Sequence, residues 1–287
     1  MYKKNLLVIL TLAFITLFSI SSGNAQLESS ILFVAPHRVI INSGQKIEVI
    51  NVANKSNEIR RYDLMVIDQV MDENGMTQRQ DNFEFSARRM LRFVPKRVTL
   101  KPGERQVVRV MARRPKGLAD GDYHAHLLFR EIPLNKLDKS QLQKDDVAKA
   151  SKTKTSFEIK TLYGIAVPVV IQSGTITSGV DFADASFIPT TDTASAHISA
   201  VFNRLGNSEG AAMFNAVFLR PGAEPVNIVK PQWIRLYREV NKITKRMNLT
   251  KEARALDLSQ GKVILTLTTK SIDPEDEDTV VEKILQF

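Results

Sequence analysis

The chain has 287 residues, with 40 Lys and Arg against 31 Asp and Glu for a formal charge of +9, and it has no cysteine. The lack of cysteine excludes thiol catalysis, cysteine metal centres and disulfide staples, so packing must supply the stability. A basic balance favours acidic partners in general, but no basic cluster is interleaved with aromatic residues of the kind that stack bases, and no nucleic-acid partner is expected.

The chain opens Met1-Tyr2-Lys3-Lys4, continues with an apolar run over residues 6–18 and then small residues including Gly23 and Ala25. This order of basic, apolar and small-residue segments predicts a signal peptide over 1–25, cleaved after Ala25. The apolar run is shorter than the roughly 20 residues a spanning helix needs, and no membrane insertion is expected after cleavage.

Residues 26–171 read as a first all-β domain. Ile47, Val49 and Val52 mark one strand. Tyr62, Leu64 and Val66 alternate in another that is expected to run to the Asn74-Gly75 hairpin signal. Val98 and Leu100, then Val108 and Val110, flank a Pro102-Gly103 turn. Tyr123 follows Asp120-Gly121-Asp122 and precedes Ala125 by two residues, the spacing of a tyrosine corner at the start of an immunoglobulin F strand. Antibody domains carry a cysteine where this chain has Ala125. Three basic pairs, Arg60-Arg61, Arg88-Arg89 and Arg113-Arg114, read as solvated strand ends.

From about 134 to 152 the composition turns to Lys, Asp, Gln and Ser, as in a mobile F–G loop. Alternation then resumes. Ser151, Thr153, Thr155, Phe157 and Ile159 share one face, and Lys152, Lys154, Ser156, Glu158 and Lys160 the other. The apolar residues 165–171 extend that strand, and a domain boundary is expected after residue 171.

Residues 172–287 read as a second β-sandwich, with strands at 197–202, 213–219, 233–240 and 262–268 and a last one ending at Phe287. Trp233, Phe214 and Phe218 are expected in its core. The acidic stretch 273–278 reads as a solvated turn. Together these features predict an all-β chain of two immunoglobulin-like β-sandwich domains in tandem.

The leader, the two cysteine-free sandwiches, Arg38, the F-strand ending Arg130-Glu131-Ile132-Pro133 and the Ile159-Lys160-Thr161-Leu162-Tyr163 segment together resemble the PapD-like periplasmic chaperones of pilus and fimbrial chaperone/usher systems. Asn203-Arg204-Leu205-Gly206-Asn207 and Leu236-Tyr237-Arg238-Glu239 resemble the corresponding stretches of the second domain. The long apolar run around Val167-Pro168-Val169 is closer to the archaic or alternative branch, and no cysteine pair marks the long-loop subclass.

The resemblance implies a periplasmic, non-enzymatic protein with no cofactor. Its partners would be pilin or fimbrial subunits, which lack their last strand, and an outer-membrane usher that takes them over. The chaperone lends the edge of its G strand, here Thr153, Thr155, Phe157 and Ile159, so that main-chain hydrogen bonds complete the subunit's sheet. A one-residue slip would turn the wrong face inward. The family fixes register by binding the subunit's terminal carboxylate with an arginine and a lysine in the interdomain cleft, positions matched by Arg38 and Lys160. Taken singly, Arg38 also fits an outward-facing strand arginine, and Lys160 a solvated edge lysine.

Two departures stand out. Ser151, Thr153 and Thr155 replace the large aliphatic donors usual in the family, leaving Phe157 and Ile159 as the substantial ones, with Leu142 and Val147 upstream. Gly164 stands near the place of the family's interdomain arginine, so the domains are expected to be joined differently. An unoccupied edge is also open to self-association. His124 and His126 share a strand face but have no third ligand nearby, so no metal site is expected. No phosphate loop, nucleophile elbow or HExxH occurs. The reading that competes with a chaperone is a secreted two-domain structural or adhesive surface protein.

Overall fold

The structure, a computed structural model, describes residues 32–134, 163–190, 195–270 and 277–286. The expected leader, nearly all of the loop after residue 134, and the segment carrying Thr153, Thr155, Phe157, Ile159 and Lys160 lie outside the described residues. So does most of the acidic stretch 273–278.

The first sandwich contains β1 (Leu32–Ala35), β2 (Val39–Ile41), β3 (Ile47–Asn54), β4 (Arg60–Ile67), β5 (Gln69–Met71), β6 (Thr77–Arg79), β7 (Leu91–Val94), β8 (Arg97–Leu100), β9 (Arg105–Ala112), β10 (Gly121–Ile132) and β11 (Gly164–Ser173). The second contains β12 (Ser178–Ile188), β13 (His197–Gly206), β14 (Gly210–Leu219), β15 (Val226–Asn227), β16 (Gln232–Leu236), β17 (Lys242–Asn248), β18 (Lys262–Thr269) and β19 (Thr279–Gln286). The helical content of the described residues is two single 3₁₀ turns, Ala253–Ala255 and Leu258–Gln260. Both halves are immunoglobulin-like β-sandwiches.

In the first, sheet β1-β3-β9-β7 faces sheet β2-β11-β10-β4-β8. Alternate residues of each strand interleave between them, including Ile50, Val108, Val110, Leu100, Phe129 and Ile171, all buried. Ala125 is fully buried where a disulfide would stand in an antibody domain. In the second, sheet β12-β13-β17 faces a sheet built on β14, which pairs with β15, β16 and β18, while β19 closes the far side of β18. Phe202, Phe214 and Ile234 fill the centre of that core.

Several local expectations change. The strand through Tyr62 and Leu64 stops at Ile67 instead of reaching Asn74-Gly75. Buried Asp68 accepts the Ser86 hydroxyl at 2.7 Å and turns the chain. A separate hairpin, β5–β6, then crosses to the second sandwich, where the Glu73 carbonyl accepts the Thr244 N–H at 2.8 Å and Met71 packs on the second core. The strand expected over 233–240 ends at Leu236, and residues 237–240 form a turn closed by the Val240 N–H on the Tyr237 carbonyl. Trp233 is not core: it is 42% exposed on the outer face of β16.

The basic pairs are not simply solvated. Arg60 forms a 2.7 Å ion pair with buried Glu131, and Arg88 pairs with Asp81. Arg114 donates to four backbone carbonyls: Gln172 and Gln45 at 2.6 Å, Asn42 at 2.7 Å and Ile41 at 2.8 Å. It thereby locks the end of β2 to the end of β11, and β2 follows directly on Arg38. Substituting Arg114→Met should lower unfolding free energy by about 2 kcal/mol, the scale of a few half-exposed charge-assisted bonds. Arg114→Lys should recover less than half, because an ammonium cannot reproduce the planar fork. Urea unfolding of the variants beside the parent protein checks both, and parental midpoints would contradict the assignment.

Candidate functional site: the cleft between the sandwiches

The site grows from one strand with two buried faces. Along β10, Tyr123, Ala125, Leu127 and Phe129 face the first core, as period two requires. The intervening residues Asp122, His124 and His126 are polar yet only 2–3% exposed. The second sandwich covers them. His124 stacks on Tyr237 with centroids 4.3 Å apart, and His126 meets the same ring edge-on at 6.3 Å. His124 Nε2 donates to Glu239 at 2.9 Å, and the other oxygen of Glu239 accepts the Met71 N–H at 2.8 Å.

Neither histidine is therefore at an edge. Among the described residues, no group of three or more His, Cys, Asp or Glu side chains could hold a metal ion.

Tyr123 donates its hydroxyl to the Ala119 carbonyl at 3.2 Å, four residues upstream, tying the loop before β10 to the strand. Asp120 accepts the Thr175 N–H at 3.1 Å with one carboxylate oxygen. Gly174, with φ of +61°, lies directly against this carboxylate, where a Cβ would collide with it. Arg238 donates to the carbonyls of Asp120 and Asp122, both at 3.1 Å, and lies over the rings of Phe85 and Tyr123. Arg238 thus reaches from the second sandwich onto the loop and strand of the first.

Arg38 sits in the bend before β2 with its side chain 16% exposed. It forms an ion pair with one carboxylate oxygen of Glu209, and its guanidinium lies 5.4 Å from the centre of the Tyr237 ring. Arg235, on β16, binds the other oxygen of Glu209 at 2.9 Å. The Glu209 N–H donates to Asp122 at 2.7 Å. Arg38 is thus a largely buried, ion-paired arginine and not an outward-facing strand residue. Beyond this pair lies a cleft of about 850 Å³, whose walls include Ile40, Trp233, Arg235 and Lys270. The exposed Trp233 ring carries the Arg235 guanidinium 5.1 Å from its centre.

Burial draws the Arg38 guanidinium below its usual value, with the Tyr237 hydroxyl opposing. Burial would raise Glu239, but hydrogen bonds from His124 and Met71 outweigh it and leave this carboxyl below its ordinary range. Asp122 is pushed from 3.8 up to about 6, chiefly by burial, against the pull of His124, Arg238 and Arg38. His126 is pushed from 6.5 down to about 4, again by burial first, with His124 and Arg38 adding to it.

The sequence matches no protein-family model and no curated protein. Solved structures similar to it include a chain of the CsuC–CsuE chaperone–tip adhesion subunit pre-assembly complex from the archaic chaperone-usher Csu pili of Acinetobacter baumannii. That chain is 10% identical with a TM-score of 0.48, over 88% of this chain and 98% of that one. The YadV chaperone is 9% identical with a TM-score of 0.47, over 89% and 100%. The class 5 fimbriae chaperone CfaA is 13% identical with a TM-score of 0.46, over 88% and 98%.

The two shifted groups of β10 act on stability in opposite senses. Raised Asp122 makes the native state bind more protons than the unfolded chain from pH 3.8 to about 6, so its contribution is present in acid and is lost as pH rises through about 6. Depressed His126 contributes stability above pH 6.5 that is lost as pH falls through about 4. Asp122→Asn should therefore steepen the loss of stability on acidification. His126→Gln should reverse it, leaving a protein that gains stability as pH falls across the same window. Urea midpoints measured through that window decide, and parental slopes in both variants would exclude these groups as the source.

Proposed function

We propose that this protein is a periplasmic assembly chaperone that binds pilus or fimbrial subunits along an edge strand and passes them to an outer-membrane usher. The subunit strand would pair with the segment carrying Thr153, Thr155, Phe157 and Ile159, and its terminal carboxylate would be bound by Arg38 and Lys160. The observation that carries this reading is the position of Arg38. It stands where two immunoglobulin-like sandwiches meet, at a cleft with further cations at Arg235 and Lys270 and an exposed aromatic wall at Trp233.

Physical chemistry supports the same reading. Strand addition supplies affinity through backbone hydrogen bonds that are indifferent to register, so a charged terminus must select one register. Charge-assisted bonds of roughly 1.5 to 3 kcal/mol each are sufficient for that selection. The threonine-rich donor face buries little apolar area, because a large side chain contributes about 1.5 to 3 kcal/mol and a threonine methyl much less. The anchor should then carry an unusually large share of client affinity. The role needs neither a cofactor nor covalent chemistry.

The test is affinity capture from periplasm with the parent protein, Arg38→Ala and Lys160→Ala, followed by mass spectrometry. A small β-rich subunit should elute stoichiometrically with the parent and fall at least about tenfold in each variant, the loss of one charge-assisted bond. Equal yield from all three would remove the anchor assignment. Absence of any subunit, with candidate subunits confirmed to be expressed, would favour a structural or adhesive surface protein.

A further inference from the structure

We infer that Arg38 and Arg235 together form one carboxylate-binding site, one arginine from each sandwich, and that Glu209 is its resident occupant, exchanged for the carboxylate of an incoming chain end. The inference rests on the chaperone reading only for the identity of that incoming chain.

Three observations lead to it. The first is the use of both Glu209 oxygens: one is bound by Arg38 and the other by Arg235. Two cations sharing the two oxygens of one carboxylate is the arrangement that would also bind a chain terminus. The second is local charge: two guanidinium groups face the one carboxylate of Glu209, while the cleft wall adds one cation, Lys270, and two further acids, Glu48 and Asp122, the latter with its proton affinity raised by burial. Arg38 also keeps a buried donor, Nε, with no partner. The site has bonding capacity that Glu209 does not use.

The third is that Glu209 is presented by a fixed turn and is not on a wandering side-chain tether. Between β13 and β14, Asn207 accepts the Thr177 N–H at 2.9 Å and donates to the Thr175 carbonyl at 2.9 Å. Ser208 donates to the Thr177 carbonyl at 3.0 Å. Arg204 donates to the carbonyls of Gly206 and Ser208 at 2.6 and 3.2 Å. Gly206, with φ of +84°, passes so close to the Thr177 carbonyl that no side chain fits. This turn presents the Glu209 carboxylate to the cleft.

The two arginines differ in access. The Arg235 side chain is 36% exposed and the Arg38 side chain 16%. An incoming carboxylate therefore meets Arg235 first and can take its Nη1 from Glu209 while Glu209 still neutralises Arg38. Exchange in this order never leaves the buried guanidinium without an anion, the arrangement that costs most in a low-dielectric site. Arg235 is then a specificity residue for a chain end, and Glu209 sets how strongly a ligand must compete.

Acetate is the probe, followed through the Nε–Hε NMR signals of Arg38 and Arg235 in the full-length protein. In Glu209→Gln both signals should shift saturably, with an apparent affinity at least about tenfold above that of the parent, as one charge-assisted bond implies. Adding Arg235→Gln to that variant should weaken binding by a similar factor. Equal titration of parent and Glu209→Gln would overturn the exchange. Titration of Glu209→Gln that is indifferent to Arg235→Gln would overturn the role of Arg235. Should Glu209→Gln not fold, Glu209→Asp keeps the charge but shortens its reach, and acetate should bind it more tightly than the parent; no gain there would overturn the proposal as well. No subunit enters this measurement, so its failure is separate from failure of the chaperone reading.

Discussion

The carboxylate of Glu209, with that of Glu239, joins the two halves of this molecule. The oxygens of Glu209 bind an arginine from each sandwich, and its backbone N–H donates to Asp122 on β10. Buried ion pairs are weak evidence for stability, since desolvation offsets much of the attraction, but removing one partner leaves an uncompensated charge at a cost of about 3 to 5 kcal/mol. The interface therefore gains little from the pair as such and is strongly penalised for losing it. Directional bonds of this kind define how the surfaces meet better than an apolar seam of similar area could, because a small slip breaks them all at once.

The same logic explains the unusual β10 strand. A central strand in a sandwich sheet ordinarily has one apolar face inward and one polar face in water. Here the polar face is covered as well, by Tyr237, Glu239 and the β5–β6 hairpin that reaches across from the first sandwich. Polar side chains in such a place must find partners. Most do, through His124 to Glu239 and Asp122 to the Glu209 N–H, but Nδ1 of both histidines and one oxygen of Asp122 remain without one. Asp122 and His126 titrate away from their ordinary values because burial disfavours their charged forms, and they act on stability in opposite senses.

Much of the fold was legible because alternation is a local signal. Val98 with Leu100, Val108 with Val110 and the Tyr123–Phe129 run each show their inward face without help from the rest of the chain. Two of the strands that escaped have interrupted alternation. Strand β17 buries Ile243 and Met247 but has Lys245 between them, lying beside Gly75 of the hairpin. Strand β12 carries Asp181 and Asp184 and shifts register between Phe182 and Asp184. Trp233 was read as core from its side chain alone, but it belongs to a cleft, where an aromatic wall supports a guanidinium. The site was legible only in part. Arg38 and the stretches 203–207 and 236–239 could be picked out by resemblance, and they do converge. Glu209 and Arg235 carried no local signal, since a lone acid after a Gly-Asn-Ser turn and an arginine on a short strand are ordinary surface residues until tertiary packing brings them together. The available clue was Asp122-Tyr123-His124-Ala125-His126, a strand whose polar face contains no lysine or other long solvated side chain.

A cleft that already holds an anion behaves differently from an empty one. Without Glu209 the two arginines would repel each other and draw in whatever small anion the solvent offers, so selectivity for a chain end would be poor. With Glu209 in place, a free carboxylate gains only the difference between its own bonds and those it displaces. A ligand that also adds a strand, and so brings backbone hydrogen bonds and side-chain burial, can meet that threshold where a small anion alone does not. On the proposed reading, the resident carboxylate would convert a strong but indiscriminate electrostatic site into one that answers to two features at once, a terminal charge and an extended chain leading up to it.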